Sequence, residues 1–230
     1  MNRKSLWHEI VIIVAASVIL ALYISGCNRR AEEDSGYRLV MGTFAHIKAI
    51  AKDPRTAKKC VEAAFTELEK VDKLMSDYKS DSEISQVNRD AFKQAVKVSA
   101  STFEVLQRSA EFSRLSGGAF DITIAPLAEL WRTAAEVNSV PTDAELELAR
   151  SKVGYEKLIL DPNKMTVRFA VDGMKLDLGG IAKGYSIDIA VEAMRAAGAV
   201  GGMVDVGGDI RCFGSPPKGK KHGVSAWRTP

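Results

Sequence analysis

The sequence predicts an α+β protein. Three observations carry that expectation: long apolar stripes at helical spacing, short β-rich runs bounded by turn residues, and no regular strand–helix alternation of the kind a parallel sheet needs. The longest stripe is Val61, Ala64, Phe65, Leu68, Val71 and Met75, in steps of three and four, and it predicts an amphipathic helix from Thr56 onward. A second helix is expected near Ser101, where Ser101 and Glu104 have capping-box spacing and Gly117-Gly118 supplies a stop. Thr142 and Glu145 repeat that signature for a third helix running towards Gly154, and a fourth is expected over 181–197, ending at Gly198. Strands are expected at 37–50, closing at Asp53-Pro54, then at 157–160 and 165–170 around the turn Asp161-Pro162-Asn163-Lys164. Further strands are expected at 174–178 after Asp172-Gly173, and at 203–206 before Gly207-Gly208.

Composition narrows the function. A length of 230 residues suits one sizeable core, and 46% hydrophobic with 27% charged residues is ordinary for a folded protein. The net charge of +3 comes from 32 basic residues spread among 29 acidic ones, so nucleic acid is not an expected partner. Lys218, Lys220, Lys221 and His222 read as a solvated loop.

The N-terminus reads as targeting rather than fold. Arg3 and Lys4 precede an apolar or small-residue run over 10–24, short for a spanning helix and suited to a signal peptide. It ends in Ile24-Ser25-Gly26-Cys27, which resembles the bacterial lipobox. By that resemblance residues 1–26 are a lipoprotein signal peptide and Cys27 is lipidated. That places the protein in the bacterial cell envelope, anchored by lipid and facing out of the cytoplasm. Polar residues 27–36 are expected to be a tether, and 37–230 the folded domain. Cys60 and Cys212 both read as packing residues, and no metal-ligand cysteine spacing exists.

Five segments combine glycine with acid and small polar residues. Met41-Gly42-Thr43 puts a glycine inside an expected strand, either as a bulge or for close backbone approach. Ser76-Asp77-Tyr78, then Ser82-Glu83-Ile84-Ser85-Gln86-Val87-Asn88, offers an aromatic face for a flat ligand, or simply the cap of the next helix. In Gly117-Gly118-Ala119-Phe120-Asp121-Ile122-Thr123, an extended piece leading to Pro126-Leu127, Asp121 can accept from a ring N–H or a ribose hydroxyl. Leu176-Asp177-Leu178-Gly179-Gly180-Ile181-Ala182-Lys183-Gly184-Tyr185 runs from strand through paired glycines to a helix start, with Lys183 beside it, an arrangement that suits a phosphate. Gly207-Gly208-Asp209-Ile210 repeats the strand-to-glycine theme.

In this order the five segments resemble the ApbE family of FAD:protein FMN transferases, a likeness that covers about 37–214. The resemblance implies a two-lobed, T-fold-like architecture with antiparallel or mixed sheets flanked by helices. Met41, Tyr78, Ala119, Phe120, Asp121, Lys183 and Asp188 would line an FAD site, and the backbone carbonyl of Ser186 would help hold Mg²⁺. The implied reaction transfers FMN from FAD to a Thr or Ser hydroxyl of an acceptor flavoprotein with an Asp-Gly-x-Thr/Ser-type motif, releasing AMP. No catalytic side chain is assigned. The family pattern continues past Gly-Gly-Asp-Ile into a His-x-x-Asp-Pro-x-Thr-Gly segment and Asp and Thr metal ligands, which are not among these residues, so a C-terminally incomplete, fragmentary chain is expected. A Mg²⁺-dependent FAD pyrophosphatase and a non-catalytic FAD-binding lipoprotein are the alternatives.

Overall fold

A computed structural model describes residues 30–214, together with Val14 and Ser17, both helical. The rest of the expected signal segment, the lipidation site Cys27, the basic cluster 218–222 and residues 227–230 lie outside the described residues.

Strands β1 (Ala31–Val40), β2 (Thr43–Ala51), β6 (Gly201–Val206) and β7 (Asp209–Gly214) form an antiparallel sheet in the order β1-β2-β6-β7. Residues 31–36, expected as tether, belong to β1. Cross-strand chemistry holds them there: Asp34 lies opposite Lys48, bonds it at 2.8 Å, and meets His46 Nε2 at 2.6 Å. A reading by composition sees only the polarity of these residues. Nor is 37–50 one strand, because Met41-Gly42 turns the chain between Val40 and Thr43.

Helices α1 (Pro54–Met75) and α6 (Ala182–Ala196) cover one face of this sheet. Asp53 caps α1, its carboxylate accepting from Thr56 N at 2.9 Å, and Pro54 stands where a helix tolerates proline. The alanines of β2 (Ala45, Ala49) and of α1 (Ala57, Ala64) are fully buried, and their small size lets sheet and helix approach closely. Ile47, Phe65, Leu68, Val191 and Met194 fill the rest of this core. Cys60 packs here as expected, whereas Cys212 faces solvent on β7; both are free thiols.

The second lobe contains α2 (Glu83–Asp90), β3 (Val96–Lys97), α3 (Ala100–Leu115), α4 (Ala125–Glu136), α5 (Asp143–Ser151), β4 (Leu158–Asp161) and β5 (Thr166–Phe169). Its small antiparallel sheet has the order β3-β5-β4. Ile84, Val87, Phe103, Leu106, Val167, Phe169, Leu176 and Leu178 make a second core, which also takes in Val71 and Met75 from the end of α1 and Ala182 from the start of α6. The α+β class is therefore correct, with two cores strung along two shared helices.

The capping box at Thr142 and Glu145 forms as expected. The one expected at Ser101 does not: Ser99 caps α3, and the Glu83 carboxylate accepts from Ser99 N at 3.0 Å. Ser82 caps α2 through Ser85 N at 3.0 Å. Residues 174–178 are not a strand. Instead, the Asn88 side-chain amide plays the part of a neighbouring strand, accepting from Leu176 N at 2.7 Å and donating to Leu176 O at 3.0 Å.

Candidate functional site

The two lobes leave a cleft between them, and the loop 177–180 sits at its centre. This loop is pinned on both sides. Asn88 holds Leu176, and Asp177 N donates to Ile122 O at 2.8 Å. Asp177 Oδ1 then accepts from Gly179 N at 2.7 Å, turning the chain towards α6. Leu176 and Leu178, both buried, anchor the loop in the second core, so the backbone of 177–180 is presented from a fixed base.

On one side of the loop is a cavity of about 660 Å³, bounded by Met41, Gly42 and Thr43, the end of α1, Tyr78, Gly179 and Lys183. A polar recess of about 240 Å³ shares Asp77 and Tyr78 with it and extends to Asn88, Arg132, Lys175 and Asp177. Beyond Gly179 a further space of about 440 Å³ is lined by Ala119, Phe120, Asp121 and Gly180. Shared residues set these spaces side by side along the loop 177–180.

Each wall has a local cause. Met41 and Gly42 adopt φ of +53° and +68°, the left-handed pair of a two-residue hairpin turn. Methionine is strained there, by about 1–2 kcal/mol, yet its side chain packs against both cores. Tyr78 follows α1 and is 80% exposed, its ring open to the cleft with the Arg132 guanidinium 5.7 Å from its centroid. Gly180 packs closely, and a Cβ there would lie 3.2 Å from the Phe120 ring, which would have to shift by a few tenths of an ångström. No side chain caps α6, whose first turn opens on the groove beside Lys183. The Lys183 ammonium stands 3.5 Å from Asp209 in an exposed pair.

Met41, Tyr78 and Lys183 line the first of these spaces, and Ala119, Phe120 and Asp121 the last. Asp188 and Ser186 are not among the residues lining these spaces. Asp188 pairs with Arg211 of β7 at 2.6 Å, and Ser186 is fully buried, its hydroxyl donating to Lys183 O at 2.7 Å. Asp121 reaches the groove but already serves the fold: Oδ1 accepts from Thr123 N and Oγ1, and Oδ2 from Tyr155 N at 2.9 Å. Gly207-Gly208 is a hairpin turn between β6 and β7. The sequence reading passed over Arg132, Lys79 and Asp72 as groove residues. Pro126 at the start of α4 was the available signal for Arg132, because proline favours the first helical turn.

Among the described residues no group of three or more His, Cys, Asp or Glu side chains could hold a metal ion. The donors present therefore do not make a Mg²⁺ site by themselves. Burial, and after it the Asp177 carboxylate, push the Asp77 carboxyl above the ordinary aspartate value of 3.8. The folded protein thus holds this proton more tightly than the unfolded chain does, and the stability it gives is lost as pH rises through the folded pKa. Asp77→Asn is expected to melt higher than the unaltered protein at pH 7, with the gap closing below about pH 4. A gap independent of pH would contradict this account.

The comparisons match this architecture. A family model described as "ApbE family" matches residues 41–229. Relatives named "FAD:protein FMN transferase" include one from Vibrio cholerae, 32% identical over 88% of this chain and 60% of its own length. One from Haemophilus influenzae is 32% identical over 89% and 61%. Among solved structures, the flavin transferase ApbE of V. cholerae has a TM-score of 0.72 at 30% identity, over 83% of this chain and 62% of that one. The apo form of the Pseudomonas stutzeri flavinyl transferase ApbE gives 0.74 at 25% identity, over 83% and 61%. The chain spans about three fifths of the length of the curated relatives it matches. Carrying the motifs in order and folding as these proteins fold, the chain belongs to the ApbE family.

Proposed function

We propose that this chain forms the flavin-dinucleotide-binding part of an FAD:protein FMN transferase. The observation that carries the reading is the pair of adjoining spaces at Gly179, with an exposed aromatic ring at one point and the start of α6 with Lys183 beside paired glycines at another. Tyr78 would stack on a flat ring of FAD, and Met41 would pack at the groove wall between the lobes. The Lys183 ammonium and the N–H groups of Lys183 and Gly184 would meet the diphosphate, those of Ile181 and Ala182 being bonded to Leu178 O.

In the proposed reaction a Thr or Ser hydroxyl of an acceptor flavoprotein attacks the FMN-side phosphorus. A new P–O bond forms, the hydroxyl gives up its proton, and the P–O bond to AMP breaks with its electron pair leaving on AMP. Positioning and electrostatics supply most of the catalysis in such transfers. The acceptor would carry an Asp-Gly-x-Thr/Ser-type motif, and the enzyme would act from a lipid anchor in the cell envelope. Mg²⁺ dependence is part of the family expectation, but no step is derived through the ion, because the described residues do not assemble its ligands.

The full-length protein, given FAD, Mg²⁺ and an acceptor bearing that motif, should produce covalently flavinylated acceptor and AMP in equal amounts. AMP and free FMN without acceptor would mark a pyrophosphatase instead. FAD binding with no turnover would mark a non-catalytic binder.

Met41→Asn tests the strained turn separately. Asparagine suits the left-handed conformation, so relief of strain should offset the lost packing and leave the melting temperature within a few degrees. FAD binding should nevertheless weaken, since the groove wall is gone. Unchanged affinity would remove Met41 from the site.

A further inference from the structure

The four strands of the large sheet share one end. Ala31 pairs with Ala51, Ile50 with Gly201, and Gly201 with Gly214. At that end stand Arg30, Lys52, Arg55, Lys58 and Lys59, all exposed. Val200, apolar and 44% exposed, closes the turn from α6 there, its N–H donating to Ile50 O. The acids of this end are Glu32, Glu33 and Asp53, and Asp53 is committed to capping α1. The opposite end carries the turns 41–42 and 207–208, the groove, and the acids Asp205 and Asp209. The near end thus carries five cations against three acids, while at the far end Lys183 stands 3.5 Å from Asp209.

Two elements measure the distance between the ends. β1 runs ten residues from the basic end to the Met41 turn, about 30 Å at 3.3 Å per residue. α1 runs 22 residues from Asp53 to the groove at Met75, about 33 Å at 1.5 Å per residue. The chain enters at the basic end. Between Cys27, the last residue of the expected anchor, and Ala31 lie residues 28–30 alone, a reach of at most about 14 Å. That is close to the distance over which a charged surface acts through salt, about 10 Å at 0.1 M.

We propose that the end carrying Arg30, Lys52, Arg55, Lys58 and Lys59 docks on an anionic lipid bilayer, so that the protein stands end-on and holds its groove about 30 Å from the headgroups. The short leash brings the cations to the surface and disfavours the inverted pose. The proposal rests on the reading of 10–27 as a membrane anchor and uses no chemistry of the groove. Joined to the proposed function, it sets the height at which an acceptor must present its hydroxyl.

The test uses the full chain in phosphatidylcholine vesicles with or without phosphatidylglycerol, bearing a headgroup dye. A donor fluorophore on a non-natural amino acid is placed at position 200, at the basic end, or at position 39, near the far end. With phosphatidylglycerol, energy transfer from position 200 should exceed that from position 39 by about threefold or more. Combined R55E, K58E and K59E substitutions should bring the two towards equality. Equal transfer from both positions in the unaltered chain overturns end-on docking. Unequal transfer that persists without anionic lipid and survives the charge reversals overturns the basic surface as its cause. Titrating the same samples with FAD reads the groove separately, so failure of docking and failure of the proposed function are distinguishable.

Discussion

Replacing Asn88 with alanine is expected to destabilise the protein by about 2–4 kcal/mol. The Asn88 amide satisfies both backbone groups of Leu176, a residue with no solvent exposure. Alanine would leave a buried N–H and a buried C=O without partners, and each such loss costs about 1–3 kcal/mol. Asn88→Asp should recover only part of the loss, since a carboxylate can accept from Leu176 N but cannot donate to Leu176 O. Urea denaturation of the three proteins would measure the series. The effect should reach the groove, because Leu176 is the footing of the loop 177–180. A loss below about 0.5 kcal/mol for Asn88→Ala would mean that Asp177 and the buried leucines hold the loop unaided.

Tyr78→Ala should weaken FAD binding by roughly tenfold to a hundredfold, the loss of one ring-on-ring contact worth about 1–3 kcal/mol. The ring is 80% exposed, so its removal should leave the melting temperature almost unchanged. Tyr78→Phe, which keeps the face and drops the hydroxyl, should bind nearly as well as the unaltered protein. Flavin fluorescence titration separates the three. Equal affinity for Tyr78→Ala would place the flat rings of FAD elsewhere in the groove.

The sequence announced the features set by local periodicity and capping, and hid those set by tertiary partners. The stripe from Val61 to Met75 ends where α1 ends, the start expected at Thr56 lies two residues inside the helix, and Thr142 with Glu145 marks the start of α5. Residues 31–36 look like a tether because their strand pairing depends on Lys48 and His46, more than ten positions away. Residues 174–178 look like a strand because their apolar alternation is real, but the partner is a side chain rather than a ladder. In the site, Met41, Tyr78 and Lys183 line one space and 119–121 the next, on either side of Gly179. On α6, five residues rotate about 140°, so Asp188 leaves the helix in a different direction from Lys183. Asp188 turns to Arg211 instead.

The two cores have no independent existence, because α1 and α6 run through both like a pair of axles. Melting either lobe strips the packing from one end of each axle and loosens the other lobe with it. Heat should therefore unfold the protein in a single calorimetric transition. A ligand seated between the lobes would raise that one transition rather than split it in two.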